Sequence, residues 1–245
     1  MKKTCTEGTV ADVVVQYPEL RPLLERLGID YCCGGKVPFA EAAAKAGHKL
    51  EDVLLECSRI RSEATAGKIN RDWSKATVTE LAQHILDTHH VFTKAQLPRV
   101  NDLLSRIQRA HGESHGAELT KIRQVFDLLR DELDSHLEKE EQILFPAILA
   151  IDGFIAGRNG RPAIHCGKIA YPIQQMEHEH DNAGDCLKQL RILTNDYQAP
   201  PDTCPTYVAT FEALAELEAD LHEHIHLENN ILFPASIRQE EEIAQ

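Results

Sequence analysis

The sequence has 245 residues, enough for one large or two modest domains, and its 42% hydrophobic and 27% charged residues predict a folded globular protein. Lys and Arg number 26 against 39 Asp and Glu, which leaves a formal net charge of −13 at pH 7. Such a charge repels phosphate backbones and anionic lipids, so neither nucleic acid nor a membrane surface is an expected partner.

The N-terminus shows no secretory signal, since Lys2 and Lys3 are not followed by an apolar stretch. The longest run without a strongly polar residue, Phe145 to Ile151, is far shorter than the ~20 residues of a membrane span. We therefore expect a cytoplasmic protein, in which the seven cysteines are thiols rather than a disulfide framework.

Helices are predicted throughout the chain, because apolar residues recur at intervals of three and four. Thr9 is placed to cap a first short helix, Pro18 to open a second and Gly28 to end it. An alanine-rich helix over 39–46 and another near 50–62 follow. The sequence thus predicts an all-α protein.

These first helices make up a small helical N-terminal domain over residues 1–62, with a glycine-flanked loop at Asp30-Tyr-Cys-Cys-Gly-Gly35. A linker is predicted over 63–76, where Gly67 and Asn70 interrupt the helical pattern.

Residues 77–245 are predicted to form an antiparallel four-helix bundle. Thr77 and Glu80 have the spacing of a capping box and start its first helix. Pro98 lies inside that helix and predicts a kink or break. The four helices are expected over 77–110, 117–150, 173–193 and 206–239, the first two separated by a break at 111–116.

The second and fourth of these helices repeat each other at a constant offset. His136 corresponds to His224 and Glu140 to Glu228, and Ile-Leu-Phe-Pro-Ala follows in both copies. A match of this length is not a coincidence, so we infer a bundle with pseudo-two-fold symmetry.

In each copy the histidine and the glutamate are four residues apart, so they lie on one face of the helix within a stripe of leucines. A single His-x-x-x-Glu would be explained as a solvated helix face. Two copies inside apolar stripes favour a metal site instead, because an isolated buried carboxylate costs several kcal/mol unless a cation satisfies it.

Two further imidazoles are expected, one from each remaining helix, and the candidates are His84 and His180. Each lies near the start of its helix, so antiparallel packing brings it level with the repeated motifs. Four imidazoles and two bridging carboxylates suffice for two metal ions, and a ligand set without thiolates favours iron or manganese over structural zinc. We predict two iron ions joined by an oxo or hydroxo bridge.

Other acids and histidines are expected in supporting positions. Glu132 and Asp220 lie one turn before the repeated histidines and either hold imidazole N–H groups or are exposed acids. His90 and Glu179 are the remaining side chains to examine near the site, and the other histidines are interpreted as surface or supporting groups.

With Asp30-Tyr-Cys-Cys-Gly-Gly35 near its start and the repeated motifs behind, the whole chain resembles the RIC (repair of iron centres) family of YtfE/ScdA/DnrN-like proteins. The resemblance implies a small cysteine-bearing domain joined to a hemerythrin-like di-iron bundle. It also implies that the two glutamates bridge the metal ions and that the full set of ligands is His84, His136, Glu140, His180, His224 and Glu228. It also implies restoration of iron–sulfur clusters damaged by nitric oxide or peroxide, with iron supplied to damaged or apo iron–sulfur proteins or to their assembly scaffold.

Three functions would use the same centre. The first is a stress-response iron donor, the second an enzyme that reduces nitric oxide to nitrous oxide, and the third a sensor or carrier of oxygen or nitric oxide. Oxygen carriers of the hemerythrin type have a further imidazole four residues along the third helix, where this chain has Gly184. The missing ligand implies a more labile centre, which suits donation of iron better than storage of oxygen.

The adjacent thiols of Cys32 and Cys33 diverge, so capture of one ion by both is awkward. Because Gly34 and Gly35 follow them, we expect accessible thiols that relay metal or electrons or react with nitric oxide. The alternative is that one of the two cysteines simply packs in the small domain.

Overall fold

The structure, a computed structural model, describes residues 8–64, 71–158, 160–162 and 167–244. Over these ranges it contains no β-strand, only an isolated antiparallel bridge between Thr9 and Pro38, which confirms the all-α class. None of the described helices is both long and apolar enough to cross a bilayer. The described α-helices are α1 (Val10–Gln16), α2 (Arg21–Arg26), α3 (Phe39–Lys45), α4 (Leu50–Ala64), α5 (Val78–Ile85), α6 (Val91–Lys139), α7 (Phe145–Ile155), α8 (Ala170–Leu193), α9 (Pro205–Leu227) and α10 (Phe233–Ala244).

Helices α1 to α4 form a unit with its own hydrophobic core, in which Leu24 and Phe39 are fully buried. Thr9 caps α1 as predicted: its hydroxyl accepts the N–H of Asp12 at 3.2 Å, and the Asp12 carboxylate accepts the N–H of Thr9 at 3.0 Å. Gly28 ends α2 with a φ of +65°, a conformation that only glycine adopts at little cost.

The segment between this unit and the bundle lies partly outside the described residues, which resume at residue 71. A 3₁₀ turn, Trp73–Lys75, precedes α5. Thr77 then caps α5 in the predicted capping box with Glu80. The turn therefore places the indole of Trp73 just before the first helix of the bundle.

Helix α6 is 49 residues long and folds back on itself. Arg123 donates a hydrogen bond to the hydroxyl of Ser105 at 3.3 Å, although the two residues are 18 apart in sequence. A straight helix would separate residues at that spacing by ~27 Å, so the chain reverses between them. The predicted break at 111–116 falls inside this reversal, and α6 supplies two antiparallel arms of the bundle.

Helix α6 is not interrupted at Pro98, contrary to one of the outcomes expected there. The proline cannot donate to the carbonyl of Lys94, which would be costly in an apolar interior. Pro98 and Lys94 both lie on the exposed face, however, so the missing hydrogen bond is not in the apolar interior.

Two apolar clusters enclose a polar layer in the bundle. Leu133, in the second arm of α6, belongs to the first cluster, and Leu144, just after the end of α6, belongs to the second. Along α9 and its continuation, Leu221 and Leu232 are divided in the same way. The repeated His-Glu motifs lie between these leucines, so the fold places them in a layer closed by apolar side chains on both sides.

The helices widen to π-helical turns where they pass through this layer. The turns are Leu86–His90, Glu140–Leu144 and Glu228–Leu232. In the last two, Phe145 and Phe233 donate their N–H groups to carbonyls five residues earlier. Pro146 and Pro234 come next and cannot donate an α-helical hydrogen bond, so the sequence itself favours the wider turn. The two repeat copies therefore share their local structure as well as their sequence.

Candidate metal centre

Six buried side chains meet in the polar layer. They form two groups, and in each group four ligand atoms lie within 4.8 Å of one another. One group consists of His90, His224, Glu140 and Glu228, and the other of His136, His180, Glu140 and Glu228. Because the two groups share both glutamates, the arrangement is that of two adjacent sites bridged by two carboxylates.

Five of the six expected ligands lie in these groups, and the exception is His84. Its half-exposed ring stacks on Trp73, with 4.1 Å between the ring centroids, and belongs to neither group. His90 stands in its place, which corrects the assignment from the sequence. The reason is helical phase: counted back from the buried Leu97 and Thr93, the stripe that faces the core reaches His90 and leaves His84 on its flank.

Three of the four oxygens of the two buried carboxylates lack hydrogen-bond partners among the described residues, and the fourth, Oε1 of Glu228, lies 3.1 Å from Nε2 of His224. Glu140 and Glu228 are 0% exposed, and among the described residues nothing donates a hydrogen bond to either oxygen of Glu140 or to Oε2 of Glu228. Nε2 of His136 lies 3.3 Å from Oε2 of Glu140, and Nε2 of His180 lies 3.1 Å from Oε2 of Glu228. Since buried carboxylates without partners are costly, this set of converging nitrogens and oxygens fits a cation.

Hydrogen bonds orient three of the four imidazoles through Nδ1, which turns Nε2 of each of these rings toward the centre of the layer, where Nε2 of His136 and Nε2 of His180 lie 3.1 Å apart. Within the described residues, Nδ1 of His224 has no such partner. The partners are Glu179 for His136 at 2.9 Å, Asn229 for His180 at 2.8 Å and Glu141 for His90 at 2.8 Å.

Glu132 and Asp220 do not orient the repeated histidines, the role that one of the two interpretations gave them. Asp220 accepts a hydrogen bond from Nδ1 of His89 at 3.0 Å, and Oε2 of Glu132 finds no partner in the described part of the chain. Glu179, on the neighbouring helix α8, supplies the carboxylate for His136 instead. Contacts between helices therefore decide the hydrogen-bond partners of the imidazoles, and residue spacing along one helix does not reveal such contacts.

The electrostatics of the layer favour ionised carboxylates. Burial and the neighbouring Glu228 act to raise the pKa of Glu140, but the positive charge of His136 and the close imidazoles of His136 and His90 hold that pKa below its usual value. Burial opposes a charged His136 as well, yet Glu140 and Glu179 raise the pKa of His136 to about 10. A cation that binds Nε2 of His136 must therefore displace a proton.

The cysteine loop of the N-terminal unit packs against this layer. Sγ of Cys33 lies 3.5 Å from the backbone oxygen of His180, and Asn229 donates its amide N–H to the carbonyl of Cys32 at 3.4 Å. A Cβ atom added at Gly184 would lie 3.5 Å from Sγ of Cys33. Position 184 thus faces the thiol, and a side chain longer than that of alanine at this position would meet the loop.

The two thiols differ in their surroundings. Cys32 is 5% exposed, whereas Cys33 is half-buried. One carboxylate oxygen of Asp30 accepts the N–H groups of both cysteines, at 3.1 and 3.0 Å. Hydrogen bonding to Cys33, together with burial, raises the pKa of Cys32 well above its usual value. The expectation that both thiols are accessible is therefore wrong for Cys32, which matches the alternative that one cysteine packs in the small domain.

Known families match both parts of the chain. Residues 81–236 match the hemerythrin HHE cation binding domain, and residues 6–60 match the ScdA_N domain of unknown function. An iron-sulfur cluster repair protein YtfE of Dickeya chrysanthemi is 35% identical over 96% of this chain and 98% of its own length. The YtfE of Edwardsiella ictaluri is 34% identical over 96% and 98%, and that of Escherichia coli O157:H7 is 34% identical over 94% and 97%.

The hemerythrin-like match covers the helices that carry the two His-Glu groups, and the cation-binding character of that domain agrees with the ligand chemistry of the layer. The match to the curated relatives extends over nearly the whole chain, including the cysteine loop. This protein therefore belongs to the family of YtfE-type iron–sulfur cluster repair proteins.

Proposed function

We propose that this protein repairs iron–sulfur clusters damaged by nitrosative or oxidative stress in the cytoplasm by donating iron from a di-iron centre. The observation that carries the proposal is the pair of His-Glu groups that share two fully buried carboxylates. The proposed ligands are His90, His136, His180 and His224, with Glu140 and Glu228 as bridges.

The ligand set supports two ions of iron as the cargo. Each group offers two imidazole nitrogens and one oxygen from each of two carboxylates, and iron accepts such mixed nitrogen and oxygen ligands. Four protein ligands leave coordination positions open on an ion that prefers six. An open position gives an acceptor protein a way to begin taking the ion.

The surroundings of the ligands support release rather than permanent retention. His90, His136 and His180 are each held by a hydrogen bond to Nδ1, whereas Nδ1 of His224 has no partner among the described residues. An imidazole without such a partner is less firmly oriented, so its ligand bond is easier to break. We therefore place the ion held by His90 and His224 first in the order of donation.

Cys33 is the thiol that we propose takes part, as a relay for metal or electrons. It is less buried than Cys32, and its sulfur lies 3.5 Å from the backbone oxygen of the proposed ligand His180. Cys32, with its raised pKa, keeps its proton and anchors the loop instead.

The proposal is tested with protein loaded with ⁵⁷Fe and a purified iron–sulfur dehydratase whose cluster has been damaged by nitric oxide. We expect the dehydratase to regain activity in step with transfer of ⁵⁷Fe, followed by Mössbauer spectroscopy. Glu140→Leu and Glu228→Leu should abolish both, because each removes a bridge from both groups. Sustained conversion of nitric oxide to nitrous oxide with iron retained in the bundle would instead identify a nitric oxide reductase.

A further inference from the structure

A continuous series of aromatic rings links the protein surface to the metal layer. The indole of Trp73 stacks on His84 at 4.1 Å between centroids, with 20° between the ring planes. His84 meets His89 edge to face at 5.6 Å, and His89 stacks on His224 at 5.5 Å with 8° between planes. His224 is a member of one His-Glu group, so the series ends at a proposed ligand.

The inner rings are held in place without being ligands. Neither His84 nor His89 belongs to a His-Glu group. His89 is 3% exposed, is fixed through Nδ1 by Asp220 at 3.0 Å, and keeps an Nε2 that has no hydrogen-bond partner in the described ranges. The buried side chain of His89 therefore makes ring contacts but not a full set of hydrogen bonds.

The outer end of the series is accessible. Trp73, the single tryptophan of the sequence, is half-buried and carries the guanidinium of Arg71 over its ring at 4.4 Å from the centroid. Trp73 and His84 line an open pocket of about 320 Å³ together with Glu223. A redox group that entered this pocket would touch the first ring of the series.

We propose that Trp73, His84 and His89 form a one-electron route from the surface to the metal centre, used by a carrier protein with a flavin or iron–sulfur cofactor. Each electron leaves the carrier, which is oxidised by one equivalent, and converts one ferric ion to a ferrous ion. No bond to the three side chains forms or breaks. The proposal rests on the proposed function, because ferrous iron leaves carboxylate ligands more readily than ferric iron.

The route is tested from its outer end. Azidyl radicals remove one electron from Trp73, and the visible absorption of the tryptophan radical reports how fast an electron returns. In protein loaded with ferrous iron we expect the tryptophan radical to decay rapidly, because a ferrous ion is oxidised to ferric as the indole radical is reduced. Metal-free protein should keep the radical for at least about ten times longer.

Variants locate the path. His84→Ala removes the first contact and should lengthen the lifetime about tenfold, whereas His84→Phe keeps a ring and should stay near wild type. His111→Ala is the matched control, because His111 also takes part in ring contacts but with His115 and Tyr207. Trp73→Phe should abolish the signal and so verify its source.

Equal radical lifetimes in wild type and His84→Ala would overturn the route, as would equal lifetimes with and without iron. Iron content measured on the same samples separates the two possible failures. With iron bound and lifetimes equal, the route alone is wrong. If no iron binds, the proposed function fails with it.

Discussion

His90 and His84 are six positions apart, yet their burial differs sharply: His90 is 1% exposed, whereas His84 is half-exposed and stacked on Trp73. Replacing His90 by Ala should lower the bound iron from about two ions per chain to about one or fewer, because one group loses half of its imidazoles. Mass spectrometric metal analysis measures this. His84→Ala is the control and should bind as much iron as wild type; the opposite result would return the ligand role to His84.

The raised pKa of His136 predicts how metal binding depends on pH. Its ring holds a proton below about pH 10 in the absence of metal, and a cation at Nε2 must displace it. Apparent affinity should therefore rise with pH across the neutral range, by about tenfold per pH unit for each proton released. Titration calorimetry of ferrous iron in buffers of different ionisation enthalpy counts the protons, and binding without proton release would contradict the assignment.

Most of the site could be predicted from residue spacing. The repeat predicted that His136, Glu140, His224 and Glu228 lie together, because their positions follow from a motif that occurs twice, and all four lie in the His-Glu groups. His90 was also within reach, since it lies on the buried stripe that contains Thr93 and Leu97. What spacing could not give is the set of partners on other helices, such as Asn229 for His180, because those depend on how the helices pack.

At the scale of elements, the contact between the cysteine loop and α9 with its π-helical continuation depends on a glycine. A Cβ atom at Gly35 would lie 2.4 Å from Oδ1 of Asn230, whose amide N–H is donated to the carbonyl of Tyr31 at 3.0 Å. Gly35→Ala should therefore lower the free energy of unfolding by about 1–3 kcal/mol and loosen the loop. Urea denaturation and limited proteolysis report the two effects.

Gly112→Ala is the matched control for that substitution. Gly112 lies in α6, where an added Cβ atom would have nothing within 4 Å, so alanine there should stabilise the helix by about 0.5–1 kcal/mol. If Gly35→Ala proved as harmless as Gly112→Ala, the close packing of loop on bundle would be contradicted.

The helices themselves were largely predictable, and the exceptions have local causes. Thr9 and Thr77 cap their helices where the sequence places the motif. The reversal within α6 keeps helical hydrogen bonding where a break was expected, and an exposed Pro98 does not interrupt the helix. The π-helical turn at Leu86–His90 has no proline after it comparable to those in the repeat, and nothing in the structure explains it.

At the scale of the whole molecule, a layer of charged groups between two apolar clusters makes stability depend on metal. Removing the cations leaves Glu140 and Glu228 buried with incomplete partners. Chelation should lower the free energy of unfolding by about 3–4 kcal/mol if metal is present at hundreds of times its Kd. Calorimetry with and without chelator measures this, and the double variant Glu140→Leu with Glu228→Leu should show no response to chelator.

The central claim is that one chain holds two iron ions bridged by Glu140 and Glu228. The most direct test is Mössbauer spectroscopy of protein loaded with ⁵⁷Fe and oxidised, combined with iron analysis. We predict about two irons per chain and a diamagnetic ground state from two coupled ferric ions, a signature that a lone ion does not give. A stoichiometry of one iron, with the magnetic spectrum of an isolated ferric ion, would contradict the account.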